Sequence, residues 1–336
     1  MTSNTIQLAK TPAIKGLHFR HFLGESDYPK MVKVIEASAE ADKIERADTV
    51  EDVANSYAHL TNCDRYQDMI FAEVDGEVIG YARGWWTDEP NGPLTYGLTG
   101  FLTPIWRRKG IGQVMLQWVE DRLKEIAKSH VPEREKCFQT FSAEAQVGLT
   151  AMLEKNGYQA VRYFYEMVRP SLDNIPDFPL PQGLEVRTVL PEHYRAIWEA
   201  DMEAFQDHWG FTTPTEDEYQ AWLSNKTVFQ PHLWKIAWDI ATDQVAGQVK
   251  TFINVEENKK FNRQRGYTEF ISVRRPWRKR GLARALIVQS LQAQKEAGMT
   301  ESALGVDTEN LSGATHVYED CGFQVVKRNA VYRKSF

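Results

Sequence analysis

The sequence predicts a mixed α/β fold written twice along one chain. Three observations carry that prediction. The run Arg107-Arg108-Lys109-Gly110-Ile111-Gly112 recurs as Arg278-Lys279-Arg280-Gly281-Leu282-Ala283, at an offset of 278 − 107 = 171, with Trp106 and Trp277 preceding the two copies. Downstream, Gly148 to Tyr158 lies without gaps on Gly313 to Phe323, at 322 − 157 = 165. Upstream, Gly16-Leu17-His18-Phe19-Arg20 matches Gly183-Leu184-Glu185-Val186-Arg187, at 183 − 16 = 167. Three matches in one order at nearly equal offsets mark a tandem duplication. Pro170, Pro176, Pro179 and Pro181 mark the seam, because proline fixes φ and removes a donor, so this run belongs in neither a helix nor a central strand. The expected organisation is a first domain over 1–170, a linker over 171–182 and a second domain over 183–336.

Taken in order, Leu17 to Phe22 reads as a strand, and Tyr28 to Ser38 and Val50 to His59 as helices. Met69 to Val74 and Val78 to Trp85 flank Asp75-Gly76, a two-residue hairpin signal. Thr95 to Leu102 is a further strand. Ile111, Met115, Val119, Leu123 and Ile126 fall at helical spacing. Cys137 to Phe141 is a strand, a helix precedes Gly157, and Tyr163 to Val168 ends the unit. The second copy repeats this. Leu184 to Val189 is a strand, helices lie near 191–205 and 215–224, and Leu233 to Trp238 pairs with Val245 to Ile253. Tyr267 to Val273 is a strand, followed by a helix over 279–297, a strand from Ser302 to Val306, a helix over 310–321 and a strand from Phe323 to Tyr332. A hairpin feeding strand, helix, strand and helix builds a mixed sheet.

Composition excludes several classes. The 336 residues are 42% hydrophobic and 26% charged, which suits two ordinary globular cores. A net charge of −6 argues against a global electrostatic hold on nucleic acid. No apolar run approaches the about 20 residues of a membrane helix, and the N-terminus lacks the charged and apolar regions of a signal peptide. Cys63, Cys137 and Cys321 are too few and too scattered for a disulfide framework or a zinc site, and read as small buried thiols. The expectation is a cytoplasmic monomer or homodimer with no metal, nucleic-acid or membrane partner.

The stretch Arg278 to Ala283 joins an alternating strand to a helix through a basic turn. Backbone N–H groups at such a helix start point outward with the positive end of the dipole behind them, and Gly281 and Ala283 keep side chains out of the way, so a pyrophosphate would fit. There is no G-x-G-x-x-G or G-x-x-x-x-G-K-[ST] here. The pattern Arg-x-x-Gly-x-Ala resembles the acetyl-CoA signature [QR]-x-x-G-x-[GA] of the GNAT acetyltransferases. Asn310 followed by Tyr318-x-x-x-Gly322-Phe323 resembles the family's later motif, and the order of elements is similar across almost the whole chain. Two copies with a Pro-rich seam, together with Ala204 to Gly210, resemble the tandem subfamily that includes mycothiol synthase. A basic turn before an amphipathic helix, with no ligand, is the plainer alternative for the turn alone.

The resemblance implies acetyl-CoA as co-substrate, no metal, and a small-molecule amine as acceptor. It implies that Ile271, Ser272 and Val273 offer backbone groups to the pantetheine, that Arg278, Lys279, Arg280, Gly281, Leu282 and Ala283 hold the pyrophosphate with Asn310 nearby, and that Tyr318 protonates the leaving sulfur. Amine acylation needs a base, and Glu269 shares a strand face with Ile271 and Val273 by the period of two. A strand glutamate paired with Arg274 or Arg275 is the alternative, and Asp307, Glu309 and Asp207 are reserves. Asp207, His208 and Trp209 are candidates to line the acceptor pocket, against a packed helix end.

In the ungapped alignments Glu269 faces Leu98, Tyr318 faces Leu153 and Asn310 faces Ala145. The first copy keeps Arg107, Arg108, Lys109, Gly110, Ile111 and Gly112, a candidate second coenzyme turn or a helix start left by duplication, and loses the proton-transfer groups. Chemistry is therefore expected in the second domain. The competing readings are a non-catalytic coenzyme-binding sensor or scaffold and an acetyltransferase acting on protein amines.

Overall fold

The computed structural model describes residues 4–309 and 313–336. In the first repeat, β1 (Leu17–Arg20) leads to α1 (Tyr28–Ala41) and α2 (Val50–Ala58). The hairpin β2 (Met69–Val74) and β3 (Glu77–Asp88) follows, then β4 (Leu94–Leu102), α3 (Ile111–Ala127), β5 (Lys136–Ala143), α4 (Val147–Lys155) and β6 (Gln159–Arg169). The second repeat runs β7 (Leu184–Arg187), α5 (Tyr194–Phe205), α6 (Glu216–Ser224), β8 (Lys235–Asp239) and β9 (Gln244–Phe252). A short helix α7 (Val255–Lys260), which no sequence signal announced, precedes β10 (Arg265–Val273), α8 (Leu282–Glu296), β11 (Glu301–Asp307), α9 (Ala314–Asp320) and β12 (Gln324–Ser335).

The repeats share local devices. Thr49 opens α2 by accepting from the Asp52 N–H while Asp52 reaches back, and Thr215 with Glu218 opens α6 in the same way. Leu282, Leu286, Ile287 and Leu291 fall at helical spacing and form the buried stripe of α8, each at most 1% exposed. Burying a side chain of that size is worth about 1.5–3 kcal/mol, and Leu286→Ala would cost roughly 2–5 kcal/mol through the cavity left behind. In the first repeat Met31, Val34, Ile35, Val53 and Tyr57 from α1 and α2 pack on Met69, Phe71 and Tyr81 of the hairpin.

The compact units do not follow the repeats to their ends. One unit comprises the chain up to Val161 plus Ala330–Phe336, and the other comprises Arg162–Asn329. Each repeat therefore gives the later part of its last strand to the other unit. In the second unit β6 runs antiparallel to β11, with Ser302 opposite Arg169 and Asp307 opposite Phe164. In the first unit the chain end is held by Lys334 Nζ on Glu120, at 2.8 and 2.9 Å, and by Phe336 stacked 4.1 Å from Phe138. The sequence placed the break at 171–182, where proline composition changes. The segment after β6 instead stays with the second unit, Leu172 N bonding Thr300 O at 2.9 Å.

Candidate active site

In the second unit, β10 and β11 run parallel only from Arg265↔Glu301 to Tyr267↔Ala303. Beyond that point β10 stays with β9 as far as Val273↔Gly247, and β11 stays with β6 as far as Asp307↔Phe164. The two strands part, and the backbone groups on their facing edges have no strand to pair with. Backbone donors and acceptors need partners, so this wedge suits an extended ligand that pairs with a strand edge.

A bulge sits in the wedge wall. Seven residues of β10, Tyr267 to Val273, lie against six of β9, Phe252 to Gly247, and Phe270 takes φ 50° to absorb the extra one. Glu269 stands at its start, half-buried, with Oε1 accepting the Gly305 N–H across the wedge at 2.7 Å. Desolvation pushes its carboxyl up to about 7, despite the hydrogen bonds from the Gly305 and Phe270 N–H groups, and the charge of Glu166 adds to the rise. Neither Arg274 nor Arg275 pairs with it. Arg274 donates to Glu203 at 2.8 Å, and Arg275 holds Asp207. Tyr318, on α9, is 7% exposed, and its hydroxyl has no hydrogen-bond partner among the described residues. Burial and then the charge of Glu269 raise its pKa, which places the phenol and the carboxylate in one electrostatic environment. Asn310 lies outside the described residues.

Past the wedge, the chain makes one tight helical turn, Arg275–Trp277, and then Lys279 (φ 61°) and Gly281 (φ 85°) swing it into α8. The left-handed φ makes glycine the favoured residue at 281, and a Cβ there would meet nothing within 4 Å, so the helix start is open. No side chain caps α8, which leaves its first N–H groups available to an anion.

Comparisons with known proteins agree with this geometry. The model of the acetyltransferase (GNAT) family matches twice, over 34–134 and 194–323. The chain belongs to the GNAT family. A curated mycothiol acetyltransferase of Salinispora arenicola is 25% identical over 265 residues, covering 78% of this chain and 80% of that protein. A GCN5-related N-acetyltransferase from Sphaerobacter thermophilus aligns with TM-score 0.71 and 26% identity over 96% of both chains. A tandem GNAT protein from the clavulanic acid biosynthesis pathway shares the fold, with TM-score 0.67 and 16% identity over 95% of this chain and 98% of that one.

Within that GNAT frame, several signature side chains serve the turn itself. The Arg278 Nε donates to Val273 O at 2.9 Å, one terminal nitrogen to Asp207 at 2.8 Å and the other to Ala204 O at 3.0 Å. Its guanidinium clamps strand to helix. Arg107 makes the same clamp in the first unit, on Leu102 O at 3.1 Å, Asp42 at 2.5 Å and Ser38 Oγ at 2.7 Å. Arg280 bonds Gln182 O at 3.0 Å, while Lys279 stays exposed with no recorded partner among the described residues. The charge beside the open helix start is thus mostly that of Lys279 and Arg280.

The remaining candidates sort by their partners. Asp207 is held by Arg275 and Arg278, which lower its pKa, so it supports the turn. Asp307 accepts two 2.8 Å bonds from Arg162, and Glu309 a third of the same length. Of the four carboxylates considered for the base, only Glu269 meets no cation among the described residues. His208 is half-buried with its ring 4.4 Å from that of Phe205, and desolvation lowers its pKa, keeping the imidazole neutral at pH 7. Trp209 lies 5.7 Å beneath the Arg162 guanidinium. Of the backbone candidates, Ile271 and Val273 are half-buried on the bulged strand. Ser272 also donates its hydroxyl to Asp201 at 2.7 Å, and Lys250 Nζ holds the other Asp201 oxygen at 2.6 Å. Neither Arg162 nor the Asp201–Lys250 pair beneath Ser272 was found from the sequence. The available signal was Asp201 itself, a charge on the apolar stripe of Ile197, Ala200 and Ala204.

The first unit repeats the wedge and the turn. β4 and β5 pair only from Leu94↔Lys136 to Gly97↔Gln139, and Arg108 (φ 60°) and Gly110 (φ 85°) match Lys279 and Gly281. The bulge is missing: Tyr96 to Leu102 lies against Trp86 to Gly80, seven residues against seven. That corrects one pairing from the ungapped alignment. Lys250 is three residues past Gly247 and pairs with Glu269, whereas Arg83 is three past Gly80 and pairs with Thr99. The structural counterpart of Glu269 is therefore Thr99, not Leu98. The pairing of Leu153 with Tyr318 stands, since both carbonyls accept the N–H five residues on, from Tyr158 at 3.1 Å and Phe323 at 3.0 Å.

Proposed function

We propose that this GNAT protein is an N-acetyltransferase that moves the acetyl group of acetyl-CoA onto the primary amine of a small molecule, with the chemistry in the second unit. The observation that carries the reading is Glu269. It is a carboxylate at the wedge, without a cation, whose pKa of about 7 matches a base working near neutrality.

The wedge edges at Ile271, Ser272 and Val273 would pair with the pantetheine, and the uncapped start of α8 would take the pyrophosphate between Lys279 and Arg280. Arg278 positions this turn without touching the phosphate. Glu269 takes a proton from the attacking ammonium, directly or through one water. The amine nitrogen then bonds to the acetyl carbon, and the carbon–sulfur bond breaks with its electron pair on sulfur. Tyr318 supplies the proton that sulfur takes up. At about pH 7 a protonated phenol is the required form, and the raised pKa keeps it so. Asp207, His208 and Trp209 flank the acceptor side, with Asp207 bracing the turn and the neutral His208 and Trp209 facing the amine. The first unit is assigned a supporting role, its turn Arg107 to Gly112 being able to hold a coenzyme that does not react.

A small acceptor is favoured over protein amines by the mycothiol acetyltransferase relative, whose name specifies a small molecule. The test is release of free CoA from acetyl-CoA across amino sugars, polyamines, amino acids and peptides, with Glu269→Gln as the control. Turnover of one small amine that collapses in the control supports the reading. Binding of acetyl-CoA without turnover of any amine would favour a sensor, and turnover of peptides alone would move the acceptor to protein.

A further inference from the structure

Both repeats carry a cation at the same place on the third strand, three residues past a glycine that lies opposite the end of the fourth. In the second unit this is Lys250. It is 2% exposed, lies over the rings of Trp222 and Phe270 at 5.2 and 4.9 Å, and is neutralised by Asp201 at 2.6 Å. In the first unit it is Arg83, whose guanidinium carbon lies 4.6 Å over the Trp85 ring and 5.2 Å over the Tyr57 ring. Each cation lies over two aromatic rings, but only Lys250 has a carboxylate beside it among the described residues. No carboxylate pairs with Arg83 among the described residues. The groups within hydrogen-bonding reach, the Tyr57 hydroxyl and the Cys63 thiol, are neutral, with burial pushing the thiol up to about 11; of the carboxylates whose charge reaches that thiol, Asp68 is paired with Arg122 at 2.8 Å and Asp64 accepts from Gln67 at 2.7 Å. Nearby Arg46 already has Asp48 at 2.5 and 2.6 Å. The Arg83 Nε–H is buried and has no acceptor among the described residues.

A half-buried guanidinium without a counter-ion, with one donor orphaned, is costly unless something supplies the charge. The surroundings say what would. Guanidinium is a planar fork that matches a planar carboxylate two bonds at a time. The walls are aromatic faces, and the Trp85 indole is seated over Gly97, where a Cβ would come within 2.3 Å of it. We infer that the first unit holds a small molecule bearing a carboxylate on an apolar or aromatic body, bound by Arg83 between Tyr57 and Trp85. The acceptor face of the second unit presents a carboxylate to an amine, and the same face of the first presents a cation to an acid. A doubly charged phosphate is a poorer fit, since Arg83 is the one uncompensated cation at the slot among the described residues.

Calorimetric titration of the whole protein with benzoate, and with benzyl alcohol as its uncharged counterpart, tests this. Benzoate should bind saturably and benzyl alcohol should not. Arg83→Gln should weaken benzoate by roughly ten-fold or more, the loss expected for hydrogen bonds to a charged partner. Thr99→Glu should block the site without removing the arginine, because Thr99 lies directly opposite Arg83 in the unbulged β3–β4 ladder, where facing side chains share one side of the sheet. That variant should lose benzoate binding and melt no lower than the parent, and acetyl-CoA affinity should be unchanged in both. Absence of saturable benzoate binding to the parent protein overturns the inference. So does binding that survives in a folded Thr99→Glu or Arg83→Gln protein.

Discussion

The two basic turns of this chain match in backbone and in their arginine clamp, and the strands leading into them do not match. Gly110 and Gly281 share φ 85°, Arg108 and Lys279 share a left-handed φ near 60°, and Arg107 and Arg278 clamp the preceding strand to the first helix of the unit through Asp42 and Asp207. The fourth strands then diverge by one residue. β10 bulges and turns Glu269 toward Gly305, while β4 keeps a regular ladder and shows Thr99. The lesson concerns which features a duplicated fold can lose. The clamp and the left-handed turn connect strand to helix and are needed wherever the fold forms. The bulge, the carboxylate and the tyrosine add strain or burial cost that the fold itself does not require, which is what the proposed chemistry in the second unit would account for.

That contrast breaks most sharply at the turns. Gly281→Glu places a carboxylate where the pyrophosphate would sit and should abolish acetyl transfer. Gly110→Glu, equally strained at its own φ, should retain most of it. Circular dichroism checks that both fold, and Gly281→Asn, which tolerates a left-handed φ, separates backbone strain from charge. A dead Gly110→Glu protein beside an active Gly281→Glu one would place the chemistry in the first unit. Next in size is the proton chemistry. Glu269→Gln should lower kcat/KM by about 10²- to 10⁴-fold and remove the rise of kcat/KM with pH through about 7 that the parent should show. An unchanged pH profile would release Glu269 from the role of base. Tyr318→Phe should cut kcat within the same range while leaving the affinity for acetyl-CoA nearly intact, since the ring stays in place. A parent-like kcat would make Tyr318 a packing residue or chemistry a fast step. Leu153→Tyr in the first unit should alter neither.

Much of this was legible in the sequence, and the failures have physical causes. The repeat, the hairpins and the helix stripes are periodic patterns that local residues determine. The clamp was partly hidden: Arg278 was recognised, but its three acceptors lie on other elements, and they make it a brace between strand and helix. Thr99 was missed because a bulge changes register by one residue without changing chain length between the motifs, so an ungapped alignment passes through it unaware. The exchange of last strands was invisible for a related reason. Nothing in the composition of β6 or β12 says which unit its end joins, and only pairing with distant strands decides it.

The smallest effect separates the two strands by stability alone, without any substrate. Glu269 has its folded pKa near 7 against an ordinary value of 4.5. A raised carboxyl favours the protonated folded state, so its contribution is fully present below about 4.5 and is lost as pH rises through about 7. Above that, the folded protein holds a desolvated charge that the unfolded chain would hydrate. Glu269→Gln removes the charge and nearly keeps the shape. Its melting temperature relative to the parent should therefore climb between pH 4.5 and 8, and the variant should be the more stable protein at pH 8 although it is the less active. Thr99→Gln, at the matching place in the first unit, has no ionisable group to remove and should show a difference from the parent that is flat with pH. If the Glu269→Gln difference is equally flat, the carboxylate ionises as it does in water. Its claim to be the base would then rest on position alone.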